Sequence, residues 1–201
     1  LDRMGSGAFA KRRDKVLGAV EDLAAQMLST QAFRHSSPGF AFDAVGTEQR
    51  EFEASFPWTD TPDQAHCIQE IHDDLSQARP MDRLLCGDVG FGKTELAARA
   101  AFRAIMSRKQ VALLVPTTVL AEQHYQTMSQ RFADWPVRIE LLSRLVKPAR
   151  QREIIKDLQN GNIDFIIGTH RILSKTVNFS DLGLVIIDEE QRFGVRHKEI
   201  L

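Results

Sequence analysis

The sequence has few cysteines, no long apolar run and almost no net charge, and each shortage excludes a class of protein. Cys67 and Cys86 stand far apart without a CxxC motif or a Cys/His cluster, so neither a disulfide framework nor a zinc site is indicated. The longest apolar stretches, such as residues 111–115, fall far short of the ~18 residues of a membrane span, and no signal peptide opens the chain. We therefore expect a cytoplasmic protein without a membrane partner.

The remaining composition is typical of a folded domain. The 201 residues are 43% hydrophobic and 26% charged, close to the averages for globular proteins, and this length supports one domain with a substantial core. The first residue is Leu1 rather than Met, so we expect the chain to be a piece of a longer protein.

The formal net charge of −1 conceals two charged blocks. Residues 43–74 contain nine acids and one base, whereas residues 138–156 contain six bases and two acids. A chain of nearly zero net charge would ordinarily argue against a nucleic-acid partner. The basic block is either a solvated helix face or a surface that faces phosphate groups, and the sequence leaves both interpretations open.

Hydrophobic spacing divides the chain into a long connecting helix at residues 1–35, an acidic linker at 36–60 and an α/β lobe at 61–201. Helical periodicity without proline marks the first part, over residues 8–33. Thr61-Pro62-Asp63-Gln64 is typical of a capping box that opens a helix running to about residue 78. Strands that are apolar throughout and alternate with helices predict a parallel sheet flanked by helices on both faces. The predicted strands are residues 83–86, 111–115, 137–142, 164–167 and 184–187, and the predicted helices of the lobe are residues 94–107, 119–132 and 149–159.

The strongest motif is a phosphate-binding loop between the first of these strands and the helix that follows. Its residues are Gly87, Asp88, Val89, Gly90, Phe91, Gly92, Lys93 and Thr94, which match G-x-x-x-x-G-K-[ST]. Glycines let successive N–H groups turn inward around an anion, and the start of the helix adds partial positive charge. We predict that Lys93 reaches the β- and γ-phosphates of ATP and that the Thr94 hydroxyl coordinates Mg²⁺.

Two acids follow the last predicted strand, at the edge where parallel sheets bind their ligands. We predict that Asp188 holds Mg²⁺ and that Glu189 orients and deprotonates the attacking water. Acids at the end of a strand are often merely solvated, but the phosphate-binding loop upstream favours the catalytic interpretation.

The segment Asp188-Glu189-Glu190-Gln191 resembles the DExH/DExQ box of superfamily 2 helicases and translocases. That resemblance implies a RecA-like P-loop NTPase lobe that uses ATP and Mg²⁺, with Lys93, Asp188, Glu189 and Gln191 as catalytic residues. Residues 61–64 resemble the family's adenine-reading Q motif, in which Gln64 would pair with the adenine edge. Gln64 is equally the last residue of the capping box, and both roles stay open.

Three short segments after predicted strands resemble the family's DNA-binding motifs Ia, Ib and Ic, at residues 116–120, 142–144 and 168–171. Hydroxyls, N–H groups at helix starts and arginine are common phosphate ligands, which position a strand without reading its sequence. The DNA contacts that the resemblance implies are Pro116, Thr117, Thr118, Ser143, Arg144, Thr169 and His170. Thr117 as a helix cap and His170 as a packed turn residue are the structural alternatives.

Residues 81–94, 135–140 and 192–199 resemble the bacterial transcription-repair coupling factors, and the similarity extends to residues 1–34. The resemblance implies a double-stranded DNA translocase that displaces stalled RNA polymerase and recruits excision-repair proteins. The family's box usually ends in His, whereas this chain has Gln191, whose amide can still bond to water or phosphate.

Two other functions stay open. One is the motor lobe of a branch-migration helicase of replication-fork repair, and the other is a non-catalytic nucleotide-binding interaction module. In superfamily 2 the arginine finger, worth ~10³–10⁵ in rate, lies on a second lobe. We therefore expect these 201 residues alone to bind ATP–Mg²⁺ weakly and to hydrolyse it negligibly.

Overall fold

The computed structural model of the protein describes residues 7–189. Its contacts divide the chain into two units, Leu1–Ala41 with Gln77–Asp82, and Phe42–Ser76 with Arg83–Leu201. No helix within the described residues is both long enough and apolar enough to cross a membrane.

The first unit contains helix α1, Gly7–Ser36, which confirms the long helix predicted over residues 8–33. Its 30 residues make it about 45 Å long at ~1.5 Å per residue. Six large apolar side chains among the described residues of this helix are exposed to solvent, those of Val16, Leu17, Val20, Leu23, Met27 and Leu28.

The second unit contains the sheet and the helices around it, and the described strands are all parallel, in the order β2-β3-β1-β4. The helices are α2 (Thr47–Ala54), α3 (Pro62–Leu75), α4 (Lys93–Met106), α5 (Thr118–Arg131) and α6 (Pro148–Gln159). The strands are β1 (Gln110–Leu114), β2 (Ile139–Leu142), β3 (Phe165–Gly168) and β4 (Leu182–Ile187), and a single 3-10 turn covers His170–Leu173. The sheet order confirms a parallel sheet flanked by helices.

The core of the lobe lies on the central strands. All five residues of β1 are buried, and Val111 is in register with Phe165 on one side and with Leu184 on the other. Strands buried on both faces read as continuous apolar runs, which is why the sequence located β1 and β3 to within about two residues. Each fully buried aliphatic side chain contributes roughly 1.5–3 kcal/mol to folding.

Residues 47–54, which the sequence analysis assigned to an acidic linker, form helix α2 and pack into the lobe. The Phe52 ring is fully buried and stacks on Phe102 with a centroid distance of 4.1 Å. The guanidinium of Arg131 lies 3.8 Å from the centroid of the same Phe52 ring, a cation–π geometry. The sequence did not predict that this segment packs into the lobe, because it is rich in acids and Phe52 is its single buried apolar side chain.

Polar contacts between α2, α3 and α4 complete this side of the lobe. The Glu53 carboxylate lies 2.9 Å from His72 Nε2 and accepts a 2.6 Å hydrogen bond from Gln49 Nε2. Arg103 Nη1 donates to the His72 carbonyl at 2.6 Å. Burial raises the pKa of Glu53, but the contacts with His72 and Gln49 outweigh it, so that the pKa falls below its ordinary value.

The strand predicted at residues 83–86 is wrong. The segment is extended but pairs with no strand, the Leu84 side chain is 75% exposed, and β4 has β1 as its sole strand neighbour among residues 7–189. Ion pairs hold the start of the segment on α3 instead, since Arg83 donates to Asp74 at 2.7 Å and to Glu70 at 2.9 Å. Apolar periodicity cannot predict such contacts, because they join residues of different elements.

Candidate nucleotide and DNA site

The phosphate-binding loop reaches helix α4 through glycines in the left-handed region of φ. Gly90 has a φ of 87° and Gly92 a φ of 74°, backbone angles that residues with a Cβ rarely adopt. Gly92 is the N-cap of α4, and its carbonyl accepts hydrogen bonds from the N–H groups of Glu95 and Leu96. The loop therefore leads directly into a helix N-terminus, as the motif predicts.

The two residues that end the motif differ in how they are engaged. Lys93 Nζ donates to the carbonyls of Gly87 at 2.6 Å and Asp88 at 2.7 Å, so the ammonium group is folded back onto its own loop. The half-buried Thr94 hydroxyl has no hydrogen-bond partner within residues 7–189. An ammonium held at the loop and an unengaged hydroxyl beside it suit a phosphate and a hard cation, respectively.

Gln64 forms the capping box that the sequence predicts. Thr61 Oγ1 accepts from the Gln64 N–H at 3.3 Å, and Gln64 Oε1 accepts from the Thr61 N–H at 2.7 Å. In addition, Gln64 Nε2 donates to the Phe91 carbonyl at 2.9 Å and thereby joins the start of α3 to the phosphate-binding loop. Both ends of the amide are engaged in these contacts, and adenine recognition by Gln64 stays a prediction.

Asp188 and Glu189 follow the end of β4. The Asp188 N–H donates to the Leu114 carbonyl at 2.9 Å, which holds its backbone on β1. Its Oδ1 accepts from the Glu189 N–H at 3.0 Å, and its Oδ2 lies 2.8 Å from His124 Nε2. A carboxylate has about four acceptor sites, so two remain for a cation such as Mg²⁺, which takes oxygen ligands.

Glu189 has a positive φ of 56°, which is uncommon for a residue with a Cβ. Such conformations cluster at functional sites, where the surrounding structure compensates for the strain. Gln191, predicted to be catalytic, lies outside the described residues.

The predicted DNA-binding segments lie along one edge of the sheet. Because the strands are parallel, the turns after β2, β3, β1 and β4 succeed one another at their carboxyl ends. The resulting order is Ser143 and Arg144, then Thr169 and His170, then Pro116, Thr117 and Thr118, and finally Asp188. The structure thus brings the expected DNA contacts and the expected metal ligand to one edge.

These residues differ in exposure. The Ser143 side chain is 1% exposed and its hydroxyl accepts from the Leu145 N–H at 3.3 Å, whereas Arg144 and His170 are exposed. Thr117 Oγ1 accepts from the Leu120 N–H at 3.2 Å, so Thr117 is the N-cap of α5. Their roles in DNA binding stay predictions.

Ion pairs neutralise part of the basic block at residues 138–156. Arg138 contacts Asp157 at 2.6 Å, and Arg150 contacts Glu140 at 2.6 Å and Glu153 at 2.8 Å. The hydrogen bond to Asp157 raises the pKa of Arg138 above its ordinary value. Arg138 and Arg150 are therefore paired with acids of the lobe, whereas the exposed Arg144 lies at the end of a strand.

A cleft of about 470 Å³ beside the phosphate-binding loop was not predicted. Gly92 and Thr94 line one part of it, and Phe56, Met128 and Arg131 line another. Its volume falls in the range of small-molecule sites.

The sequence analysis did not predict roles for His124 and Arg131. They follow Thr117 at intervals of seven residues, a spacing that places all three on one face of a helix and could have indicated them.

Comparisons with known proteins indicate the family to which this chain belongs. The transcription-repair-coupling factor of Bacillus subtilis strain 168 is 54% identical over 99% of this chain. That of Staphylococcus aureus strain USA300 is 50% identical over the same share. The chain spans 17% of the length of these relatives. A solved structure of RecG bound to a three-way DNA junction is also similar, with 38% identity and a TM-score of 0.77. The similar region covers 83% of this chain and 23% of the RecG chain.

Residues 61–201 match the DEAD/DEAH box helicase family. The matched region holds the phosphate-binding loop, the paired acids after β4 and the three strand-end segments. Since it also covers most of the sequence, the chain belongs to the DEAD/DEAH box helicase family.

Proposed function

We propose that this chain is the ATP-binding motor lobe of a double-stranded DNA translocase that displaces stalled RNA polymerase and couples transcription to nucleotide excision repair. The observation that carries the proposal is the 54% identity to a transcription-repair-coupling factor, which extends over 99% of the chain. The phosphate-binding loop, the paired acids and the strand-end segments lie within that similarity and supply the parts that such a motor needs.

In the proposed mechanism, Lys93 exchanges its bonds to the loop carbonyls for bonds to the β- and γ-phosphates of ATP. Thr94 and Asp188 would hold Mg²⁺, which would supply positive charge to neutralise the phosphate oxygens. Glu189 accepts a proton from the attacking water and orients it. The sheet supports this geometry by fixing the Asp188 backbone to Leu114 on β1.

DNA would lie along the carboxyl edge of the sheet. The N-terminus of α5 at Thr118 and the exposed side chains of Arg144 and His170 offer donors for a phosphate backbone. Contacts of this kind are independent of base sequence, as a translocase requires.

A branch-migration helicase motor is the second candidate. The structural similarity to RecG bound to a three-way DNA junction favours it. The coupling-factor proposal is better supported because those relatives match 99% of the chain, whereas the RecG structure covers 83% at lower identity.

The proposal is tested by Lys93→Ala, with Lys175→Ala as a control at an exposed lysine. We expect the 201-residue chain to bind a fluorescent ATP analogue weakly in Mg²⁺, the control to bind equally and Lys93→Ala to lose at least tenfold in affinity. In a protein of the full length of these relatives, Lys93→Ala should abolish ATP-dependent displacement of RNA polymerase. Displacement that survives the substitution would refute the role of Lys93, and unwinding of junctions without displacement would favour the second candidate.

A further inference from the structure

Helix α5 carries three polar side chains along one face, and each contacts a different part of the lobe. Thr117 caps its start, His124 lies in its middle and Arg131 ends it. Residues seven apart are about two turns, or 10.5 Å, apart on the same face of an α-helix. Ala121 and Met128, which lie between them on this face, are buried.

His124 contacts the carboxylate that is proposed to hold the metal. His124 Nε2 lies 2.8 Å from Asp188 Oδ2, and the two side chains are 15% and 36% exposed. An ionised carboxylate only accepts hydrogen bonds, so Nε2 carries the hydrogen and donates. The Asp188 backbone is already bonded to Leu114, and His124 therefore fixes the side-chain direction that the backbone leaves free.

The far end of α5 is held on the neighbouring elements by Arg131. Arg131 donates to both oxygens of Glu95 at 2.8 Å and to the Phe52 carbonyl at 2.6 Å. Glu95 directly follows Thr94 in helix α4. Because this end is fixed by several bonds, a displacement at the start of α5 would pivot the helix about Arg131 and would move His124, which lies between the two ends, relative to Asp188.

We propose that α5 couples DNA contact at its start to the metal site, with His124 as the positioning residue for the Asp188 carboxylate. This inference rests on the proposed function, since it needs DNA at Thr117 and Mg²⁺ at Asp188. DNA bound at the start of α5 shifts the helix, and His124 transmits the shift to the carboxylate. Hydrogen-bond partners that orient a metal-binding side chain typically change metal affinity 10–100-fold when removed.

The test compares His124→Gln with His124→Asn. The glutamine amide reaches as far as Nε2 of histidine, whereas the asparagine amide is one methylene shorter and cannot reach Asp188. The affinity of the 201-residue chain for a fluorescent ATP analogue is measured in EDTA and in Mg²⁺. We expect His124→Asn to reduce the Mg²⁺-dependent gain in affinity about tenfold without changing the affinity in EDTA, and His124→Gln to retain the gain.

The coupling is tested by adding duplex DNA to the same assay. DNA should change the Mg²⁺-dependent gain of the unmodified chain about fivefold and leave that of His124→Asn unchanged. Gln123→Leu, at an exposed position of the same helix, should behave as the unmodified chain does.

The outcomes separate the inference from the proposed function. A full Mg²⁺-dependent gain in His124→Asn, or an undiminished response of that variant to DNA, would overturn the inference alone. If the unmodified chain gained no affinity from Mg²⁺, the proposed function would fail and the inference with it. Equal losses in the glutamine and asparagine variants would also overturn the inference, because they would indicate a packing role for the imidazole ring.

Discussion

The Gln110 side chain joins three segments of the lobe, and its removal should destabilise the fold measurably. Its Nε2 donates to the carbonyls of Leu158 at 2.9 Å and Ile163 at 2.8 Å. Its Oε1 accepts from the N–H groups of Ser180 at 2.7 Å and Asp181 at 3.0 Å. One buried amide thus connects the end of α6, the approach to β3 and the approach to β4.

The substitution Gln110→Leu nearly preserves volume and removes all four hydrogen bonds. Each hydrogen bond contributes ~0.5–1.5 kcal/mol net to stability. The two N–H groups belong to exposed residues and can donate to water in the variant. The Leu158 carbonyl keeps a bond from Gly161, but the carbonyl of buried Ile163 is left without one, at a cost of ~1–3 kcal/mol. Because the two N–H groups and the Leu158 carbonyl keep another partner, their losses lie at the low end of that range, and together with Ile163 we expect the free energy of unfolding to fall by about 2–4 kcal/mol.

Urea unfolding of the 201-residue chain, followed by far-UV circular dichroism, measures this loss. The midpoint should fall while the slope m stays unchanged, and Tm should fall by about 5–15 °C. Gln159→Leu makes the same chemical change at an exposed position near the end of α6 and should cost little. Equal stability of the two variants would refute the assignment of these four bonds to the fold.

Three further perturbations test the packing of the lobe. Phe52→Ala should lower the free energy of unfolding by about 3–5 kcal/mol in urea melts, because it empties a fully buried aromatic site. Glu53→Gln should destabilise the fold at pH 7, and this loss should shrink as the pH falls below 4.5: a pKa lowered in the fold gives stability that is present above the ordinary value of 4.5 and lost as the pH falls through the folded value. Gly168→Ala should lower stability, because its Cβ would lie 2.1 Å from the Leu142 carbonyl oxygen on the adjacent strand.

Each of these predictions has an outcome that would contradict it. A loss below about 1 kcal/mol for Phe52→Ala would mean that α2 does not pack on the lobe. Glu51→Gln is the control for Glu53→Gln, since Glu51 is exposed on the same helix, and a stability gap that does not shrink as the pH falls below 4.5 would exclude the charge of Glu53 as its cause. Wild-type stability of Gly168→Ala would contradict the close approach of β2 and β3.

The sequence by itself determined the features that depend on neighbours along the chain. The capping box at Thr61 and Gln64 forms as predicted, because its two hydrogen bonds join residues three apart. The phosphate-binding loop likewise needs only glycines at fixed positions before a helix, and Gly90 and Gly92 adopt the positive φ that this turn requires. Continuous apolar runs predicted the central strands, because a strand that is buried on both faces needs apolar residues at successive positions of one segment.

Only the tertiary structure decided which distant residues meet. Residues 83–86 have the composition of a strand, but they pair with no strand within residues 7–189, and Arg83 contacts α3 instead. The contact of His124 with Asp188 joins positions 64 apart, and the spacing of polar side chains along the helix can indicate the face of His124 but not its partner. The sheet order, set by pairing energies summed over the whole lobe, brings the strand-end turns to one edge, and on that edge the proposed DNA contacts and the proposed metal site become neighbours.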